Sequence, residues 1–347
     1  MVRNALIKKK TQLPKLGYLW FLLFFISISA SGQAPQFSQF YAAPLTLAPS
    51  FAGSTNGSRI VMNYRNQWPQ IPGAFVTYAF SFDHYFHNYR SGVGLLLMRD
   101  QAGSGRLANT RGGLVYSYNF KIDHNWTIRP GLQFVYEDRT IDPSRLIFGD
   151  QLRLDGNHAS SSITNIEIDR TGYFDATSSV LIYSHNTWGG LTVDNMMMPN
   201  QSMTSNGEDR IPLKFALFGG YRFTYGSNYA QQIQESISIA ALYKNQGKFN
   251  QFDLGVYWSR DPVSLGLLYR GIPIFNNHAA GIMNNDAFVL MGGLRTNDLR
   301  IGYSYDFTIS RLINNTGGAH EISIIYQFNQ GAPSKAHGRI PCPDSQL

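Results

Sequence analysis

The feature that most constrains this chain is a two-residue alternation of apolar and polar side chains that recurs from residue 58 to residue 328. Successive side chains of a strand point to opposite faces, so this pattern describes a sheet with one greasy side and one wet side. Between Asn125 and Glu137 the even positions are Trp126, Ile128, Pro130, Leu132, Phe134 and Tyr136, and the odd ones include Thr127, Arg129, Gln133 and Glu137. Phe252, Leu254, Val256 and Trp258 alternate with Gln251, Asp253, Gly255, Tyr257 and Ser259, and Ile301, Tyr303, Tyr305 and Phe307 with Gly302, Ser304, Asp306 and Thr308. Fourteen such segments are read, at 58–68, 74–85, 92–100, 111–121, 125–137, 172–183, 188–195, 212–224, 236–245, 249–259, 263–271, 286–296, 299–308 and 319–328. No amphipathic helical period competes with them.

The connections sort into two kinds. Those after even-numbered segments are tight, as at 122–124, 184–187, 260–262 and 297–298, with 225–235 the exception. Those after odd-numbered segments include 101–110, 138–171, 196–211, 272–285 and 309–318, although 69–73 and 246–248 are short. Short turns on one rim and longer loops on the other fit an outer-membrane barrel whose short turns are periplasmic. Only helices and closed barrels satisfy every backbone polar group in hydrocarbon. An even strand count also places both chain ends on the periplasmic side. Trp68, Trp126, Trp188 and Trp258 all lie near segment ends, where two girdles of amphipathic rings are expected at the headgroups. A soluble β-sandwich would carry more charge on its wet face and gives no reason for alternating loop lengths. The expected fold class is therefore all-β: a transmembrane outer-membrane β-barrel of about 14 antiparallel strands with an N-terminal plug-like segment.

Composition removes the other classes. Charged residues are 15% and aromatics 14% of the chain, the reverse of a disordered composition. Cys342 is the single cysteine, so no disulfide framework exists within the chain. Mean hydropathy is −0.20 with one long apolar run, which excludes a polytopic helical membrane protein. That run, Leu16 to Ser31, follows Arg3, Lys8, Lys9, Lys10 and Lys15 and closes on Ser29-Ala30-Ser31-Gly32, the layout of a secretory signal cut before Gln33. Without those five cations, 24 of the 29 basic residues face 22 acidic ones, and a near-neutral exported chain gives no electrostatic case for nucleic acid. The expected organisation is a signal peptide at 1–32, a plug or periplasmic segment at 33–57, the barrel at 58–328 and a flexible periplasmic tail at 329–347.

Residues 33–57 hold three prolines and several aromatics, a composition ill suited to a solvated tail. The segment is expected to pack against or inside the barrel, with Phe37, Gln39, Tyr41, Pro44, Phe51 and Gly53 as its anchoring positions; the alternative is a periplasmic arm that orders on a partner. The strand register turns Arg59, Arg65, Arg111, Lys121, Arg129, Lys214, Arg222, Lys244, Arg270 and Arg295 inward, opposed by Asp83, Glu137, Asp253 and Asp306. The plain reading is internal ion pairing. The sharper one is that Arg59, Arg65, Arg129, Arg222 and Arg270 hold an acidic peptide or a terminal carboxylate of a partner, since the guanidinium fork matches carboxylates. Enzymatic signatures are missing: there is no G-x-S-x-G, no P-loop, no H-E-x-x-H and no EF-hand loop. His84 and His87 lie at a strand end and turn, and the acids of the 138–171 loop lack ligand spacing. No enzyme activity, cofactor or metal is expected.

Two stretches resemble the PorP/SprF family of type IX secretion outer-membrane proteins. One is Gln36-Phe37-Ser38-Gln39-Phe40-Tyr41, then Pro44-Leu45, then Ala48-Pro49-Ser50-Phe51-Ala52-Gly53. The other, more specific, is Tyr64-Arg65-Asn66-Gln67-Trp68-Pro69 after Asn63, followed by Ile71-Pro72-Gly73-Ala74-Phe75, Tyr78 and Ser81-Phe82-Asp83; Phe148-Gly149-Asp150-Gln151 also fits. Ala43 and Ala48 depart from the family pattern, which usually has Asn. The resemblance implies a non-enzymatic outer-membrane protein of a Gram-negative envelope. It implies partners among type IX secretion and gliding components, and a secreted surface adhesin with a C-terminal targeting domain. The runner-up reading is a passive porin or small-solute transporter.

Overall fold

The alternation becomes one antiparallel sheet whose two ends meet. The computed structural model describes residues 36–55, 57–147, 149–151, 170–204, 207–228, 233–277, 282–309 and 316–329. The strands are β1 (Ser58–Gln67), β2 (Phe75–Phe86), β3 (Ser91–Ala102), β4 (Leu107–Tyr118), β5 (Phe120–Lys121), β6 (Thr127–Thr140), β7 (Thr171–Tyr183) and β8 (Thr187–Asp194). They continue with β9 (Lys214–Asn228), β10 (Ile233–Gln246), β11 (Phe249–Arg260), β12 (Val263–Asn277), β13 (Ile282–Thr296), β14 (Leu299–Thr308) and β15 (Ala319–Phe328). Neighbours in sequence are neighbours in the sheet, and β1 pairs with β15 from Ser58↔Phe328 to Gln67↔Ala319. β4 pairs directly with β6, so fourteen strands form a closed ring, and the two-residue β5 is an extra piece on the end of β6. With no edge strand, each of the fourteen has a neighbour on both sides, which is what allows the sheet to cross lipid.

The fourth sequence segment, read as 111–121, is thus two elements broken at Asn119. Two connections read from sequence are mostly strand. β9 and β10 run on to Asn228 and from Ile233, and β12 and β13 to Asn277 and from Ile282, where alternation fades but the ladder continues. The 225–235 exception therefore disappears from the short-turn rim, while the long-loop rim keeps 141–170 and 195–213 as its largest connections.

The outward face is apolar: Leu114, Phe134, Phe174, Leu217, Leu265 and Leu290 are all exposed. In β7 exposed and buried side chains alternate residue by residue over most of the strand. Trp188 departs from the expected girdle. It is buried on the inner face, where Gly220 of β9 leaves room for its ring. Residues 1–32, expected to be a signal peptide, the tail from 330, Cys342 and the acids at 155, 167 and 169 lie outside the described residues.

Residues 36–55 lie against the inner face. They form three short helical turns, Phe40–Ala42, Pro44–Leu47 and Pro49–Phe51. Pro44 and Pro49 each open a turn, where the fixed φ suits the helix and no backbone donor is lost. One side of the segment is apolar: Phe40, Leu45, Ala48 and Phe51 pack with inward Leu181, Trp188, Phe218, Leu242, Leu268 and Val289. Its direction follows from its partners. Gln36 Oε1 accepts from Lys244 Nζ (3.4 Å) near the long-loop end of β10. Ala42 O accepts from Asn63 Nδ2 (3.1 Å) midway along β1. Ala52 O accepts from Ser117 Oγ (2.7 Å) at the short-turn end of β4. The strand count does bring the start of β1 and the end of β15 to the short-turn rim. The described chain nevertheless begins at the opposite rim, because the segment crosses the inside of the barrel before entering β1.

Candidate functional site

Inward side chains on β1, β12, β14 and β15 converge on the first residues of this segment. Glu321 accepts the backbone N–H groups of Ser38 (2.7 Å) and Gln39 (2.9 Å) and the Arg65 guanidinium (3.1 Å). Arg65 also reaches Asp306 (2.8 Å), and Arg270 bridges Asp306 (3.2 Å) and Asp253 (3.3 Å). Ser38 Oγ lies at the centre, donating to Asp306 Oδ2 (2.7 Å) and accepting from Arg65 (2.7 Å) and Arg270 (2.9 Å). The Gln39 side chain donates to Ser304 Oγ (3.1 Å) and accepts from Ser323 Oγ (2.7 Å). All these groups are buried, so each charge depends on its partners rather than on water.

A second cluster holds the other end of the segment. Asp83 receives Arg59 Nε (2.8 Å) and the Gly53 N–H (2.7 Å). Arg59 also donates to Phe51 O (3.1 Å). Arg129, fully buried, donates to the carbonyls of Gly53 (3.0 Å) and Ala52 (2.5 Å) and to Ser117 Oγ (2.9 Å). Gly53 adopts a positive φ of 61°, and a Cβ there would lie 2.8 Å from Gly92 Cα, so only glycine suits the site. Between the clusters, Thr192 Oγ1 donates to Leu47 O (3.1 Å), and Ser179 Oγ accepts from the Ser50 N–H (2.8 Å).

The structure thus brings Arg59, Arg65, Arg129 and Arg270 onto Phe37–Gly53, with Phe37, Gln39, Pro44 and Phe51 buried and Tyr41 half-buried. Phe37 packs with Ala43 and Ala79. Phe51 lies 5.5 Å from the Phe218 ring, and Tyr41 lies edge-on to Tyr257 at 5.2 Å. Arg222 is buried on β9. Lys121 is exposed on β5 rather than inward. Of the second family stretch, Tyr64 and Tyr78 pair on the outer face (5.2 Å), and Trp68, at φ 59°, lies against Phe75 (5.5 Å). Gln67 Oε1 accepts from Arg65 (3.3 Å). Asn66 is half-buried and Pro69 exposed.

The sequence reading missed Glu321, Ser38 and Asp194 as interior polar anchors. Parity in Glu321-Ile322-Ser323-Ile324 was the available signal for Glu321, which shares its face with Ser323. Asp194 pairs with Lys214 (2.5 Å) and Arg111 with Glu137 (2.9 Å), forming a further polar patch toward the long-loop rim. In the long loop itself, the Ser144 hydroxyl donates to Asp142 (2.6 Å) and holds its carboxyl below the usual carboxylate range. Among the described residues no three His, Cys, Asp or Glu side chains stand together as metal ligands.

The family model for the type IX secretion system membrane protein PorP/SprF matches residues 29–326, a span that includes both lumen clusters. The chain belongs to the PorP/SprF family. With its closed sheet and apolar exterior, this PorP/SprF protein is an outer-membrane β-barrel. No curated protein sequence matches it. Solved structures similar to it include the outer membrane protein Omp33 of Acinetobacter baumannii, at 8% identity and TM-score 0.44, covering 80% of this chain and all of that one. The CymD monoaromatic hydrocarbon channel aligns at 9% identity and TM-score 0.47 over 83% of this chain and 93% of its own. The KdgM porin aligns at 9% identity and TM-score 0.34 over 78% and 99%.

Proposed function

We propose that this barrel supports type IX secretion by anchoring an exported partner protein, such as a large adhesin with a C-terminal targeting domain, at the cell surface. The long-loop rim receives the partner, and residues 33–57 act as a plug that keeps the barrel from serving as an open pore. The observation that carries the reading is the lock on Ser38 and Gln39. A conduit for solutes gains nothing from several buried charges committed to holding a chain segment across its interior, whereas a rigid anchor gains a fixed shape. On this reading Arg59, Arg65, Arg129 and Arg270 serve the plug, and the partner meets the outer loops.

The test is deletion of the chain in its native host, with the culture medium and cell surface assayed for large proteins bearing the targeting domain. Loss of one such protein from the surface, restored by the wild-type chain, is the expected result. Unchanged secretion and attachment of all of them would overturn the reading.

A further inference from the structure

Toward the long-loop rim the wall of the barrel carries a gap in its ladder. β7 runs from Thr171 to Tyr183, but β8 is only eight residues long and its pairing with β7 ends at Ser178↔Val193. Thr177 Oγ1 still donates to Asp194 Oδ1 (2.5 Å). Beyond that point Asn195 and Met198, at φ 58° and 44°, take the chain out of its extended course. On this side of β7, from Thr171 to Ala176, one backbone hydrogen bond is formed among the described residues, from Met196 N–H to Ala176 O (3.1 Å). On the other side the ladder with β6 continues to Arg139↔Thr171.

In an antiparallel strand the N–H and C=O of one residue share a side, and the side alternates along the chain. The Ala176 carbonyl faces the β8 side, so Gly172 and Phe174 turn both of their main-chain groups the same way. Among the described residues no strand meets them there. Unpaired main-chain groups at a sheet edge are a template for another strand, and at the margin of the lipid they are costly to leave unmet. The flanks of the edge also suit a protein. Phe174 is exposed on the outer face beside Tyr136 (5.1 Å), and Met196, Met197 and Met198 are exposed where the chain leaves β8. Methionine adapts to apolar partners of varied shape. On the inner face Asp175 Oδ1 accepts the Met197 N–H (3.1 Å), while Asp175 Oδ2 is buried with no donor among the described residues.

We propose that the β7 edge from Thr171 to Ala176 is a strand-addition site that takes an extended segment of the exported protein partner. The incoming strand lies where β8 would continue, and its main chain supplies donors and acceptors in alternation to Gly172 and Phe174. A lipid headgroup phosphate could meet the N–H groups but not the carbonyls, which favours a peptide. The preferred segment alternates apolar residues, which cover Phe174, with donor-bearing ones such as lysine, which face Asp175. The identity of the partner rests on the anchoring reading above; the edge itself does not.

The experiment titrates the purified full-length protein in detergent into a fluorescent hexapeptide of alternating valine and lysine, followed by anisotropy. Heat-modifiable gel migration verifies the folded barrel of every variant. Phe174→Pro removes an N–H that faces the open edge and none that the β6 ladder uses, so it should weaken binding by at least about fivefold, as expected for one backbone hydrogen bond and a blocked approach. Phe174→Ala, which loses the ring but keeps the donor, should weaken it by less. The same peptide methylated at every backbone nitrogen keeps its charge and side chains and should not bind the parent. Equal binding of the methylated peptide, unchanged affinity in Phe174→Pro, or an equal loss in Phe174→Ala would each overturn the assignment. A parent that binds no peptide would mean that the chain covers the edge itself, and a parent dimer that Phe174→Pro dissociates would mean that a second copy does; either result also overturns it. The assay contains no secretion partner, so its failure leaves the anchoring reading intact, and unaltered secretion in the deletion strain leaves the titration intact.

Discussion

Glu321→Ala tests the lock directly. The carboxylate accepts two backbone N–H groups of the inner segment, at 2.7 and 2.9 Å, and one guanidinium N–H at 3.1 Å. Arg65 keeps Asp306 and Ser38 as partners, so the barrel wall loses little. The segment loses both donors' acceptor in a place water does not reach. Hydrogen bonds to a charged group contribute about 1.5–3 kcal/mol each, and leaving the donors buried and unmet sets the combined loss at roughly 3–5 kcal/mol. At ~1.4 kcal/mol per factor of ten, the ratio of released to docked segment rises by about 10²- to 4 × 10³-fold. Planar-bilayer recording of the purified protein reads that ratio as open-channel probability. The parent should be silent, Glu321→Ala should open in bursts, and Glu321→Gln, which keeps one acceptor oxygen, should fall between them. Migration as a heat-modifiable barrel confirms that the wall is intact. If Glu321→Ala stays as silent as the parent, or the parent conducts as freely as the variant, the lock does not govern the pore.

Three further outcomes are expected. A Cβ at Gly131 of β6 would overlap the backbone nitrogen of Ser50, so Gly131→Ala should lower unfolding stability in urea by about 1–3 kcal/mol through overpacking. Leu290 points outward midway along β13, and Leu290→Arg should cost about 2–4 kcal/mol of folding free energy in vesicles, with little loss for a substitution to Met. In a Cys342→Ser background, Gln36→Cys should react with an impermeant maleimide on intact cells, and Asn329→Cys only after permeabilisation. The reverse pattern would place the start of the inner segment at the wrong rim.

Strand existence and facing were legible because lipid imposes the same demand on every outward position. Leu254, Val256 and Ile301 are exposed and Asp253, Tyr257 and Asp306 buried, as the alternation implies. Strand ends were less legible where no lipid acts. The pairs Asn276-Asn277 and Asn284-Asn285 carry no apolar–polar alternation, so β12 and β13 extend without leaving a pattern in the sequence. Parity turned Arg65 and Arg270 inward but said nothing of their partners. Ser38, 268 residues from Asp306, is placed by the closure of the ring rather than by local sequence. Trp188 was misread for a related reason. Position near a strand end suggests a girdle, but its parity with Thr192 and Asp194 puts it inside.

Closure and the inner segment are one problem for this chain. The ring seals where β1 meets β15, and Arg65 of β1 and Glu321 of β15 are register partners across that seam. Ser38 and Gln39 bind both sides of it, through Arg65 on one and Glu321 on the other, with Asp306 and Ser304 of β14 extending the grip. A strand pair that joins the first and last strands closes the longest loop in the sheet and so carries its largest loop-closure entropy. A buried ionic cluster adds little net stability compared with apolar packing, but it accepts only one register of the segment against the seam. A barrel without Ser38 in place leaves Arg65, Arg270 and Asp306 short of a shared partner, and that state is disfavoured relative to the filled one.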